Sequence, residues 1–221
     1  MNKVYRSIGL AVGAAIVAGL ALAQGPASNA SFFVTSKNPG QGGNLGGLAG
    51  ADAHCTALAE AAGIRGKTWR AYLSTSTVNA RDRIGDGPWY NVKGELIANN
   101  VAELHTAEGN KISNTTALDE TGATPDYLVL VDGTAQRAVA DSLVHDILTG
   151  TNDDGTVAAG QTCNDWTDGT ANGRGMLGHA DRLGRNPGVN SWTAVHASQG
   201  CAMENLIPTG GAGMIYCFAT D

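Results

Sequence analysis

Met214-Ile215-Tyr216-Cys217-Phe218-Ala219, almost at the C-terminal end, reads as a buried closing strand, since a short unbroken apolar run flanked by turn formers belongs inside a sheet. Its cysteine is one of four, with Cys55, Cys163 and Cys201. No two of them form a Cys-x-x-Cys pair, and no histidine stands at finger-like spacing, so the usual zinc and thioredoxin readings fall away. An even count behind an export signal points instead to disulfides. Three pairings are open. Cys55 falls on an expected helix and Cys217 on the closing strand, which favours nested bridges, Cys55 with Cys217 and Cys163 with Cys201.

The export signal is the N-terminal segment itself. Lys3 and Arg6 precede an apolar stretch from Ile8 to Leu22 that closes on Ala21-Leu22-Ala23, the small-residue pattern of a secretory cleavage site. The stretch is short for a bilayer span, which needs about 20 residues, so cleavage after Ala23 and no membrane span thereafter are expected. The product is then secreted or periplasmic. Cleavage takes 23 of the 221 residues and two positive charges, moving the formal balance from −6 to −8. An acidic surface of this kind disfavours nucleic acid, heparin-like polyanions and anionic membranes as general partners.

The organisation follows as residues 1–23, signal peptide; 24–48, an N-terminal strand and glycine-rich lead; and 49–221, one folded domain. Ser31 to Thr35 has strand composition. Gly40 to Gly50 lacks the Lys-Ser/Thr ending of a phosphate loop and reads as a turned connection. From Gly50, Ala51, Cys55, Leu58, Ala59 and Ala62 recur at helical spacing, with Asp52 near the start and Gly63 as the stop. Thr68 to Ser74 alternates and is expected as a central strand. Ser76 or Thr77 is placed to cap a short helix through Asn79 to Arg83. Trp89 to Asn91, Leu96 to Ala98, Tyr127 to Val131 and Asp146 to Gly150 suggest extended pieces, whereas Ala135 to His145 has helical spacing. Between Cys163 and Cys201 glycine is frequent and apolar periodicity weak, so a long loop held by its own ends is expected.

Five segments carry a resemblance: Gly50-Ala51-Asp52-Ala53-His54-Cys55, Trp69-Arg70-Ala71-Tyr72-Leu73-Ser74, Thr149-Gly150-Thr151-Asn152-Asp153-Asp154-Gly155, Cys163-Asn164-Asp165-Trp166 and Tyr216-Cys217-Phe218. In order and spacing the chain resembles endostatin-like domains of the C-type-lectin-like fold, especially their secreted bacterial relatives. The resemblance implies an α+β fold, with a mainly antiparallel sheet, one or two helices, a long loop region and two nested disulfides. The calcium-chelating Glu-Pro-Asn and Trp-Asn-Asp motifs of sugar-binding members are not intact here; Trp192-Thr193-Ala194 stands at the position of the second. Neither the heparin-binding arginines nor the zinc histidines of animal endostatin carry over.

Function is expected at the Cys163–Cys201 face, as a non-catalytic module recognising a glycan or a glycan-bearing surface partner. Trp166, Trp192 and His196 offer ring faces, with Asp165, Asp168, Asp181, Arg182 and Asn190 as hydrogen-bonding groups. Asn152, Asp153 and Asp154 form the densest oxygen cluster, a calcium candidate that also reads as an ordinary turn; no other cofactor is expected. His179-Ala180-Asp181-Arg182, joined by His54, His105 or His145, could make an acid–base or metal group, but a solvated loop explains the same residues. No Gly-x-Ser-x-Gly elbow occurs, and no catalytic residue is assigned. A structural or adhesion component of the matrix or envelope is the alternative, followed by a polymer hydrolase.

Overall fold

The computed structural model describes residues 25–124, 128–131, 134–137, 145–182 and 191–221. The expected signal peptide and Asn190 lie outside these residues. Among the described residues no helix is long and apolar enough to cross a membrane.

The closing run becomes the middle of the sheet. Strand β10 (Gly211–Ala219) is buried at all nine positions. On one flank it pairs antiparallel with β1 (Phe32–Val34), Phe33 opposite Cys217. On the other flank lie β2 (Trp69–Ala71), antiparallel with Ala71 opposite Cys217, and then β7 (Asp146–Leu148), parallel with Leu148 opposite Ile215. The sheet continues through β8 (Met176–His179) to β9 (His196–Ala197), both pairings antiparallel. Two ribbons stand apart, β3 (Trp89–Tyr90) with β4 (Leu96–Ala98), and β5 (Leu128–Val131) with β6 (Thr134–Arg137). The fold is thus α+β, mostly sheet with few helices.

Period-two alternation along β10 feeds a core on each face. Ile215, Cys217 and Ala219 join Phe33, Trp69 and Leu148 beneath helix α1 (Gly47–Ala61), whose buried face is Ala51, Cys55, Leu58 and Ala59. Tyr216 and Phe218 join Phe32, Tyr72, Trp89 and Trp192 on the other face. Each fully buried large apolar side chain contributes about 1.5–3 kcal/mol, so both faces matter to stability. The helix stops where expected: Gly63 takes φ 87°, a left-handed conformation suited to glycine. Asp52 has a use beyond the helix end. Its carboxylate accepts from Ala71 N and from the guanidinium groups of Arg70 and Arg83, tying α1 to β2.

Both bridges are the nested ones. Cys55–Cys217 joins α1 to β10, and Cys163–Cys201 closes the later segment, each with Cα atoms 5.7 Å apart.

Four expectations need correction. Residues 69–71 flank the sheet's centre rather than forming it, because β10 has the longer apolar run and takes the partners on both sides. The helix through Asn79–Arg83 is a single 3-10 turn at Ala80–Asp82 without a side-chain cap; Ser76 is engaged by Asp165 instead. Thr134–Arg137 is a strand, its pairing with β5 overriding local helical preference; residues 138–144 of that expected helix lie outside the described residues. The Cys163–Cys201 segment is no loop throughout, since it supplies β8 and β9 to the sheet.

Candidate functional site

Three of the protein's five histidines meet at one end of β7, β8 and β9. Register explains why. Asp146, first in β7, is opposite His179, last in β8, and His196 of β9 is opposite Leu177, two residues before His179. Paired residues and i, i+2 neighbours share a face, so Asp146, His179 and His196 project together. His145 joins them from just before β7.

Asp146 is the floor, fully buried, with His179 close to it and nearly as buried. His145 and His196 form a rim, their side chains 23% and 35% exposed. His179 Nε2 lies 3.1 Å from Asp146 Oδ1, His145 Nε2 3.5 Å from the same oxygen, and His196 Nε2 3.4 Å from Oδ2. These are ion-pair distances. The contacts are ionic rather than well-directed hydrogen bonds, since the geometry at both buried oxygens falls short of a linear N–H···O arrangement. His179 and His196 approach each other at 3.4 Å between Nε2 atoms, and the rings of His145 and His179 stack at 4.0 Å. Behind His145, Asp181 Oδ2 lies 2.9 Å from Nδ1.

The electrostatics are those of mutually stabilised charges. Burial would raise the Asp146 pKa, but the facing His179 and His196 imidazoles outweigh it and hold the carboxyl below its ordinary value. For His196 the Asp146 contact dominates and raises the pKa. Burial opposes protonation of His145, yet its hydrogen bond to Asp181 and the charges of Asp181 and Asp146 prevail, so its pKa is also raised. His179, Asp181 and His145, expected in a solvated loop, instead lie at the ends of β7 and β8, with His179 and Asp181 buried. The strand register that buries them had no signature in sequence.

The tryptophans are elsewhere employed. Trp166 is fully buried with Nε1 donating to Ser74 O, and Trp192 is 4% exposed with Nε1 donating to Leu104 O. Neither offers a ring face for stacking on a sugar, because each is needed to fill a core.

Trp166 closes an unusual turn. Cys163, Asn164, Asp165 and Trp166 have φ of 46°, 53°, 54° and 66°, a left-handed run that costs non-glycine residues about 1–2 kcal/mol each. Surrounding bonds hold it: the Cys163–Cys201 bridge, the Trp166 indole, and the Asp165 carboxylate, which accepts from Ser76 N, Ser76 Oγ and Thr162 Oγ1. Asp165 is therefore a clamp. Its hydrogen bond from Ser76 leads the influences that depress its pKa, so its stabilisation is complete above the ordinary carboxylate value of about 3.9 and is lost as pH falls through the lower folded value. Asp165→Ala should cost about 1–2 kcal/mol at neutral pH in urea unfolding. The gap from the parent protein should close as the pH is taken below the carboxylate range.

The remaining candidates separate into turns and a depression. Asp154 accepts from Thr156 N and Oγ1, and Asn152 donates to Thr156 Oγ1 and Val157 O, so this pair stabilises its own turn. Asp168 accepts from Thr170 N in another turn. Asp165 is engaged by Ser76 N and Oγ. Asp153 and Arg182, by contrast, line a cavity of about 340 Å³ with Trp192, His105, Asn110 and Ser191. His105 there is a fixed neutral ring: Nδ1 faces Val101 O, Nε2 faces the Tyr72 hydroxyl, and burial lowers its pKa. A larger cavity, about 740 Å³, lies by Gly25–Ala27 and Glu120–Gly122. Its carboxylate, Glu120, is occupied by Ser36, and its described lining carries no aromatic side chain.

The sequence profile of a family described as protein of unknown function (DUF1554) matches residues 38–183, more than half of the chain. The chain belongs to the DUF1554 family. The matched span includes His145, Asp146, His179 and Asp181, and ends before His196. No curated protein matches the chain.

Proposed function

We propose that this DUF1554 protein is an exported, non-catalytic binding module of C-type-lectin-like architecture that recognises a glycan or glycan-bearing surface partner. The observation that carries the reading is the convergence of Asp153, Arg182 and Trp192, from separate parts of the chain, on the depression of about 340 Å³. A shallow site joining a carboxylate, a guanidinium and backbone or amide groups suits a polyhydroxylated ligand, whose hydroxyls both donate and accept. Recognition there is by hydrogen bonding, not by stacking. The nested bridges support the architecture, and the charged-then-apolar segment at residues 1–23 supports export.

The test is a glycan array with the oxidised protein, in the presence and absence of calcium. Binding should be saturable, and Asp153→Ala or Arg182→Ala should each weaken it about tenfold or more, the loss expected for a hydrogen bond to a charged group. No signal above background in either condition removes the glycan reading. Saturable capture of an envelope protein that free sugars do not compete would favour the adhesion role instead.

A further inference from the structure

We propose that His145, Asp146, His179 and His196 form a binding site for a divalent first-row transition ion of the zinc class, at the shared end of β7, β8 and β9. This inference stands apart from the glycan reading at the depression and uses neither Asp153, Arg182 nor Trp192.

The first argument is the state of Asp146. A fully buried carboxylate normally collects N–H or O–H donors, because leaving it without them costs several kcal/mol. Both Asp146 oxygens lack a well-directed hydrogen bond although three imidazole nitrogens stand in ionic contact 3.1–3.5 Å away. Donor atoms packed around a common point, rather than aimed at one another, are the arrangement of ligands around a cation.

Spacing is the second argument. Nitrogen and oxygen ligands sit about 2.0–2.1 Å from zinc, and the edge of a tetrahedron with that radius is about 3.3 Å. The separations are 3.1 Å for His179 to Asp146, 3.4 Å for His196 to Asp146, 3.4 Å for His179 to His196, and 3.5 Å for His145 to Asp146. The ligand atoms of His145, Asp146 and His179 all lie within 4.8 Å of one another. Little movement would close the set.

Third, the outward-facing nitrogens are held. His145 Nδ1 meets Asp181 Oδ2 at 2.9 Å, and His196 Nδ1 faces Ala197 O at 3.3 Å. Such outer partners fix the ring and leave Nε2 as the ligand atom, the carboxylate–histidine–metal relay. Imidazole with one carboxylate, and no thiolate, selects zinc-class ions over calcium, which wants six to eight oxygens. The partly exposed rim histidines give the ion its way in.

The site can be tested on the oxidised protein, made without a histidine tag, stripped with chelator and titrated with zinc by calorimetry. Cobalt absorption then reports the ligand geometry. One equivalent should bind and raise the thermal midpoint. Asp146→Asn should abolish binding, and His196→Gln, a rim change that leaves the floor intact, should weaken it at least about tenfold; Asp181→Asn should weaken it about 10–100-fold through His145. Near-ultraviolet circular dichroism checks that each variant is folded. Absence of a saturable equivalent, or an equivalent that folded His196→Gln binds as tightly as the parent, overturns the proposal.

Discussion

Gly178→Ala should remove a large part of the protein's folding free energy, lowering its urea midpoint far more than an alanine at an unobstructed glycine does. Gly178 lies in β8, where residues 191–195 cross over the sheet. A Cβ there would stand 1.8 Å from Trp192 O, 2.2 Å from Trp192 C and 2.5 Å from Thr193 N. All three are backbone atoms, so no side chain can swing aside. Nor can the crossing segment lift, for its bonds are distributed along it: His179 N donates to Ser191 O, Val195 N to Leu177 O, and the Tyr216 hydroxyl to Trp192 O. Trp192 itself is wedged against Tyr72 and Tyr216, with ring centroids 4.6 and 5.2 Å away. Displacing it undoes one of the two cores. A cost above about 4 kcal/mol is expected, against a total stability of about 5–15 kcal/mol for a domain. Urea unfolding is the measurement, with Gly160→Ala as control; Gly160 also has positive φ, at 73°, but nothing lies within 4 Å of its Cβ position. The control should lose only about 1–2 kcal/mol, the strain of the left-handed conformation. Equal costs for the two would mean that the crossing at Trp192 is not as tight as described.

That crossing marks where sequence stopped being informative. Helix α1 and strand β10 could be read because their apolar residues recur at 3.6 and then run unbroken, and burial enforces those patterns. The hairpin of β3 and β4 showed itself through short apolar pieces. Strands β8 and β9 did not, since Met176-Leu177-Gly178-His179 places a glycine where a strand would carry a side chain and ends on a polar residue that is nonetheless buried. The glycine is there for the Trp192 backbone and the histidine for Asp146, and both reasons are tertiary. Ala135-Gln136-Arg137 failed similarly: these residues favour helix, and the pairing with the partner strand makes them extended.

The candidate site was legible as residue types and opaque as geometry. His179-Ala180-Asp181 and His145 were named, but Asp146 was read only as the start of an extended piece, although a carboxylate opening the apolar run Ile147-Leu148 is a signal of burial with partners. What joins them is the pairing of Asp146 with His179, 33 residues apart, which follows from strand register. The tryptophans misled for a related reason. A large aromatic between two cysteines suits a binding face and a core equally, and the hydrogen bonds of Trp166 and Trp192 to Ser74 O and Leu104 O settle which role it has.

Removing the Cys55–Cys217 bridge should cost more than removing Cys163–Cys201, and the two losses should differ in kind. The bridges span 162 and 38 residues. On the chain-entropy relation these loops correspond to about 5 and about 4 kcal/mol. Paired alanine variants in urea should preserve that order. Cys55 and Cys217 are fully buried between α1 and β10, so their loss also loosens the longest helix among the described residues from the central strand, and unfolding should remain a single transition at a lower midpoint. Cys163–Cys201 instead restrains the left-handed turn and the segment that supplies β8 and β9. Without it those strands have less to hold their register, and amide exchange at Leu177 and His179 should accelerate before the rest of the sheet yields. Reversal of the order would show that strain relieved at the left-handed turn, not loop entropy, sets the balance. A uniform rise in exchange after loss of the inner bridge would show that β8 and β9 share the stability of β10, leaving the histidine centre as rigid as the core.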